Sequence, residues 1–122
     1  MRQGLQFPKE QSKKKRKRHK DSILQDRRDG TCYLCVKLHG NHQIYRYREK
    51  HHVFGGNPDR DISEAEGFKV YLCPEHHRIG PEAAHRNIEI KRLLQQDAQR
   101  AYERTHSRAE FMALLCRNYL ED

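Results

Sequence analysis

The stretch YLCPEHHRIGPEAAH, from Tyr71 to His85, holds a cysteine, two adjacent histidines and a third histidine eight positions on. Cys73 and His76 are three positions apart, the spacing of half a zinc site. The other half stands upstream as Cys32-x-x-Cys35. Two thiolates in a tight turn chelate one ion, and a closed structural zinc site needs four ligands. Cys32, Cys35, Cys73 and His76 together make a Cys3His set joining two distant knuckles. The competing reading of Cys32 and Cys35 is a pair of buried thiols or a redox pair. A two-Cys, two-His finger does not fit. It wants its histidines three to five residues apart, about twelve after the second cysteine. Here fifteen residues separate Cys35 from His51, and His51 and His52 are adjacent.

The bulk composition explains why such a staple is needed. The chain has 122 residues, 34% apolar and 34% charged, with no tryptophan. A core this thin calls for metal or disulfide reinforcement. No apolar run reaches the roughly 18 residues of a membrane span, and MRQGLQFPKE lacks the apolar region of a signal peptide. The expectation is a cytoplasmic protein without membrane contact, where paired cysteines serve as metal ligands rather than disulfides. Cys116, within the apolar FMALLCRNYL, is expected in the core.

Charge is concentrated at one end. Residues 1–30 hold eleven Lys/Arg against four Asp/Glu, a net of +7, while residues 31–122 hold fourteen against thirteen, a net of +1. The block Lys13, Lys14, Lys15, Arg16, Lys17, Arg18 and Lys20 repels itself and stays disordered when free. Its natural counterpart is a nucleic-acid backbone, bound through counterion release and with little sequence preference. A solvated or address-carrying tail is the plainer alternative.

Along the chain, residues 1–22 read as an unstructured arm and 23–87 as the zinc-binding domain. Residues 88–122 read as a helical extension packed on that domain. CYLCVKLHGNH reads as a turn carrying the cysteines, with Gly40-Asn41 as a hairpin turn. HQIYRYREKHHVF reads as a strand, rich in β-formers and free of proline. GGNPDRD is loop. SEAEGF is a short helix capped by Ser63 with Glu66 three on and ended by Gly67. FKVYL is a second strand. Pro74 suits the first position of a helix. A long helix is expected from about Glu82 to Thr105, with Ile90, Leu93, Leu94, Ala98, Ala101 and Tyr102 on one face. Ser107 and Glu110 form a second capping box, opening a final helix. The fold class is α+β.

With His76 assigned to zinc, His77, His51, His52 and His85 remain. On a strand, neighbouring side chains face opposite sides, so His51 and His52 can do different work. One can hold a metal while the other meets a water. Histidine suits the base role because its ordinary pKa lies near neutrality. This is an arrangement for metal-assisted phosphodiester hydrolysis. The plainer reading leaves each of these histidines hydrogen-bonded in the core. His39 and His42 are expected at the surface.

The order CxxC, then HH at a strand end, then a second knuckle followed at once by His, resembles the zinc-stapled HNH (ββα-metal) endonucleases. HHVFGG…LCPEHH…H behind a basic arm is similar to small phage-encoded HNH proteins, including recombination-associated ones. The resemblance covers residues 30–87. It implies a small ββα-metal domain acting on DNA, duplex, single-stranded or branched. It implies His51 and His77 as ligands of a catalytic ion, His85 as a further ligand, and His52 as the general base. Histidine ligands favour zinc, manganese or nickel, and magnesium is admissible if waters and phosphate oxygens complete its shell. Two features depart from the family pattern. No asparagine precedes the second knuckle in EGFKVYLC, Asn57 coming too soon after His52, and Gly80-Pro81 interrupts the path from His77 to His85. The rival reading is a zinc-stabilised nucleic-acid-binding protein of HNH shape without cleavage, and a third is a protein–protein adaptor.

Overall fold

The computed structural model describes residues 19–120. The block Lys13 to Arg18 therefore lies outside the described residues. Six elements follow one another: α1 (Tyr33–His39), β1 (Glu49–His52), α2 (Asp59–Glu66), β2 (Lys69–Leu72), α3 (Ile88–Tyr102) and α4 (Arg108–Leu115). A 3-10 turn at Arg27–Asp29 precedes them, and a π-helical turn, Glu75–Ile79, follows β2. The result is a small α+β fold.

β1 and β2 form a two-stranded antiparallel ribbon in which Glu49 faces Leu72, Lys50 faces Tyr71, His51 faces Val70 and His52 faces Lys69. Alternation puts Glu49, His51, Val70 and Leu72 on one face and Lys50, His52, Lys69 and Tyr71 on the other. The first face is the inner one, with His51, Val70 and Leu72 buried. Beyond the ribbon, an aromatic core joins the residues flanking α2 to α3 and α4. Phe54 and Phe68 meet edge to face at 5.3 Å between centroids, and Phe111 of α4 lies within 6.0 Å of both. Tyr102 at the end of α3 closes on Phe68 at 5.6 Å.

Several local expectations are corrected. Tyr33–His39 is a helix, not a turn. Cys32 stands at its N-cap, and Gly40, at φ 64°, ends it with N–H bonds from Gly40 and Asn41 back to Val36 and Cys35. A left-handed residue with two back-turned bonds is a helix terminus, so Gly40-Asn41 is no hairpin. The strand expected over HQIYRYREKHHVF is confined to its end. β2 offers only four residues to pair with, and upstream the Tyr45 N–H turns to the Gly30 carbonyl. Ile44 and Tyr47 stay exposed. Ser63 caps nothing. It sits buried inside α2, its hydroxyl donating to the Phe54 carbonyl at 2.9 Å and accepting from the Phe54 N–H at 3.1 Å. Gly67 does end that helix, at φ 82°.

The long helix starts at Ile88, not near Glu82. Asn87 caps it by accepting from the N–H groups of Glu89 and Ile90. The preceding residues are held in turns, with Ala84 and His85 donating back to the carbonyls of His76 and His77. The face expected of this helix is the buried one, with Leu93 partly covered. The Ser107–Glu110 capping box is formed in both directions. Cys116 is exposed, in the left-handed conformation at φ 60° that terminates α4. A residue turning the chain out of a helix points away from the core that the helix covers. Lys20 and Ser22, expected within the arm, are tied to the domain. Lys20 donates its N–H to the Glu64 carbonyl, and the Ser22 hydroxyl donates to the Lys69 carbonyl at 2.5 Å. Among the described residues, no helix is long and apolar enough to cross a membrane.

Candidate metal centre

The N-terminal turn of α1 supplies Cys32 and Cys35, and the junction of β2 with the π-helical turn supplies Cys73 and His76. All four are buried and converge. Tetrahedral zinc, with bonds of about 2.3 Å to sulfur and about 2.0 Å to nitrogen, sets sulfur–sulfur edges of ~3.8 Å and sulfur–nitrogen edges of ~3.5 Å. The Cys35 and Cys73 sulfurs lie 3.9 Å apart. His76 Nδ1 lies 3.8, 3.3 and 3.5 Å from the sulfurs of Cys32, Cys35 and Cys73. The donor set and its spacing fit a structural zinc. Burial pushes the Cys32 thiol up and the Cys35 thiol up to about 12. Only a cation among the sulfurs makes their thiolate forms favourable there. Outer partners complete the centre. The Tyr45 hydroxyl touches the Cys35 sulfur at 3.1 Å. Glu82, bound by His39 at 2.9 Å, stands 3.6 Å from His76 Nε2. His39 and His42 are exposed, as their place in the chain predicts.

A second cluster lies on the inner face of the ribbon. His51 of β1, His77 of the π-helical turn and His85 of the loop after it bring one ring nitrogen each within 4.8 Å of one another. His77 Nε2 and His85 Nε2 are 3.1 Å apart, held by the backbone bond from His85 to the His77 carbonyl. That bond supplies the bend which Gly80-Pro81 imposes. His51 Nε2 is buried and has no hydrogen-bond partner. Burial, with His77 and His85 beside it, pushes the His51 imidazole down to about 3, so the ring is neutral. Burial and His77 likewise hold His85 below its ordinary value. Buried polar atoms are rarely left unpaired, and three imidazoles turned on one point form a donor set for a divalent transition ion.

Glu49 organises this cluster from outside. Its carboxylate accepts from His77 Nδ1 at 2.7 Å and takes the Arg78 guanidinium on both oxygens, at 3.0 Å from Nε and 2.8 Å from Nη2. Arg78 first and His77 next hold the Glu49 carboxyl down at about 2. A carboxylate only accepts, so the His77 proton sits on Nδ1 and the Nε2 lone pair faces the cluster, the outer-sphere arrangement of metal-bound histidine.

His52 turns to the other face. Its Nε2 donates to Glu64 at 2.7 Å, and Glu64 also takes Lys69 at 2.7 Å, His19 at 2.8 Å and Lys50 at 3.3 Å. Burial opposes ionisation of Glu64, but these four partners hold its carboxyl well below the usual carboxylate range. The bond fixes the His52 proton on Nε2 and leaves Nδ1 as the basic nitrogen. His52, Lys50, Asn57 and Arg60 border one open cleft. Asn57 therefore shares the space His52 opens into, although it follows His52 closely in sequence.

The structure thus brings the four knuckle residues together and gathers His51, His77 and His85 at a second point, with His52 on the opposite face of β1. It also adds Glu49, Glu64 and Glu82, none of which sequence reasoning singled out. Glu49 had a readable signal, two residues before His51 and so on the same strand face. Glu64 and Glu82 had none. Comparison of the chain with protein-family models, with curated proteins and with solved structures gave no match.

Proposed function

We propose that the protein is an HNH-like phosphodiester hydrolase acting on DNA. The observation that carries this reading is the convergence of His51, His77 and His85 on one point, with a buried unpaired nitrogen on His51, one residue from a histidine held by a carboxylate. Either feature alone has a structural explanation. Their adjacency on one strand matches the division between metal-holding and proton-accepting histidines that the motif order suggests.

His51, His77 and His85 would hold the ion. A divalent ion held there would supply charge neutralisation of the scissile phosphate and stabilisation of the departing oxygen. β1 ends at His52, so the scissile phosphate would lie across the strand end, between the two faces, where His52 accepts at Nδ1 the proton of the water whose oxygen attacks phosphorus. Glu64 keeps that nitrogen free and stabilises the imidazolium that forms. The new P–O bond replaces the P–O3′ bond, the 3′-oxygen takes a proton from solvent, and His52 returns its proton to water. Glu49 fixes the tautomer of His77. The basic run Lys13 to Lys20 holds the substrate near the site.

The test is nicking of supercoiled plasmid by the zinc-loaded protein with added manganese, nickel, magnesium or zinc. Wild type is expected to nick, and His52→Ala to lose at least about 100-fold in rate, the lower range of general-base contributions, with fold and structural zinc retained. Equal cutting by the variant removes His52 from the base role. A folded, zinc-loaded wild type that cuts neither plasmid nor single-stranded nor branched DNA supports the binding-only reading, which the missing asparagine in EGFKVYLC favours.

A further inference from the structure

The outer face of the ribbon carries a second groove, separate from both histidine clusters. Arg27, Arg28, Tyr45, Arg46, Arg48 and Tyr71 line it. Arg48 is its fixed wall. Its guanidinium donates to the carbonyls of Thr31 at 3.0 Å and Arg27 at 2.6 Å, and lies over the Tyr71 ring at 5.0 Å. The other three arginines are exposed. Arg27 acts on the Asp26 carboxylate only through space, and Arg28 makes one long contact with Asp26, 3.3 Å, between two largely exposed groups. The nearby carboxylates are already engaged. Asp26 caps the Arg28 N–H, and Asp29 accepts from the N–H and hydroxyl of Thr31 at 2.8 and 2.9 Å.

Four guanidinium groups surround one groove, and the fold offers them two carboxylates, Asp26 at 3.3 Å from Arg28 and Asp29 at 3.7 Å from Arg48, so the groove keeps an excess of positive charge that an entering anion would offset. Arginine with aromatic walls suits phosphate and the faces of bases. We infer that this groove binds the phosphate backbone of the DNA strand that passes His52. Its position supports a continuous path. Tyr71 pairs across the ribbon with Lys50, and Lys50 borders the same cleft as His52. Lys50 and His52 are two strand positions apart, about 7 Å, and a DNA strand advances about 3.4 Å per phosphate along the helix axis. The groove therefore receives a phosphate at least about two positions from the one beside His52. Only this direction toward His52 rests on the hydrolase reading. Backbone binding in the groove stands without cleavage.

The test uses the full chain, without added catalytic ion, and fluorescent 20-mer DNA in single-stranded and duplex forms, titrated at several salt concentrations. Arg27→Gln with Arg46→Gln removes two exposed cations. The charge-matched control is Arg104→Gln with Arg117→Gln, neither of which lines the groove. Two lost phosphate contacts on duplex flatten the slope of log K against log salt by about 1.8, with at least about a tenfold loss of affinity at 0.1 M salt. The control is expected to change neither by half as much. Equal losses in both pairs, or none in the groove pair, overturn the inference. So does displacement of the oligonucleotide by polyglutamate of equal charge as readily as by unlabelled DNA. The form that loses more affinity identifies the strandedness the groove prefers. Plasmid nicking is scored separately, so that failure to cut with intact groove binding refutes only the hydrolase reading.

Discussion

Removing zinc from the Cys3His centre is expected to melt the domain. The centre ties α1 to the end of β2 across the 38 positions between Cys35 and Cys73. Its ligands meet only in the folded chain, so zinc binding free energy is folding free energy. With free zinc at a thousand times its dissociation constant, linkage contributes about 4 kcal/mol. For a domain of about 100 residues, each kcal/mol moves Tm by about 4–8 °C. Chelation should then lower Tm by roughly 15–30 °C. The loss comes from the missing cross-link and not from thiolate repulsion, since burial keeps the Cys32 and Cys35 thiols protonated once the ion is gone. Protons therefore compete with zinc. The gap in Tm between loaded and chelated protein should be full at pH 8 and shrink toward pH 5.5. Far-UV circular dichroism melts with and without chelator read the effect, with zinc counted by native mass spectrometry. Cys73→Ser should reproduce the chelated state, and His85→Ala, which leaves the knuckles intact, should not. A chelated protein melting within about 3 °C of the loaded one would refute the staple argument.

Four further outcomes follow from the packing. Gly67→Ala should cost more than about 2 kcal/mol in a denaturant melt, because the position is left-handed and a Cβ there would collide with the Asp21 carbonyl oxygen. Cys116→Gly should raise stability by about 1 kcal/mol in the same assay, relieving the only non-glycine residue with positive φ among those described. Phe111→Ala should lose about 3–5 kcal/mol, since its fully buried ring joins α4 to Phe54 and Phe68; a loss under 1 kcal/mol would mean that α4 does not belong to the core. Arg108 holds the Glu103 carboxyl below its ordinary value. Glu103 therefore stabilises the fold fully above its unfolded pKa and loses that contribution as pH falls through its lower folded one. Glu103→Gln should destabilise at pH 7, and the gap to wild type should narrow as pH falls into the acid range, measured by parallel urea melts.

What was legible in the sequence was what depends on spacing. Cysteine and histidine intervals pick out the four residues that form the buried Cys3His cluster, because chelation by near neighbours is a local constraint. The inward face of α3 and the capping box at Ser107 are local as well. Less legible were elements decided by distant partners. HQIYRYREKHHVF has strand composition throughout, yet only Glu49–His52 finds a partner strand. CYLCVKLHGNH looked like a turn because knuckle cysteines suggested one, while Leu34 and Cys35 are buried on a helix ended by Gly40. Ser63 has the residue type of a cap, but the Phe54 backbone claims its hydroxyl. The bend that carries His85 back to His77 depends on backbone bonds across Gly80-Pro81, which no periodicity encodes.

The adjacent histidine pairs have a common structural logic. A strand turns successive side chains to opposite faces, so EKHH delivers Glu49 and His51 inward and Lys50 and His52 outward from four consecutive residues. Each face then acquires its own carboxylate. Glu49 reaches His77 from within the strand, and Glu64 reaches His52 from α2. Both bonds set a tautomer and leave the opposite ring nitrogen with its lone pair. The second pair divides differently. His76 points its Nδ1 at three sulfurs while His77 points its Nε2 at His85, so one π-helical turn contributes to both clusters. A one-residue slip of β1 against β2 would exchange the inner and outer faces, burying Lys50 and His52 and expelling His51. A zinc ion in the Cys3His cluster, by pinning the end of β2 to α1, would oppose that slip. The same ion that would strengthen a thin core would thereby also fix which histidine faces which side.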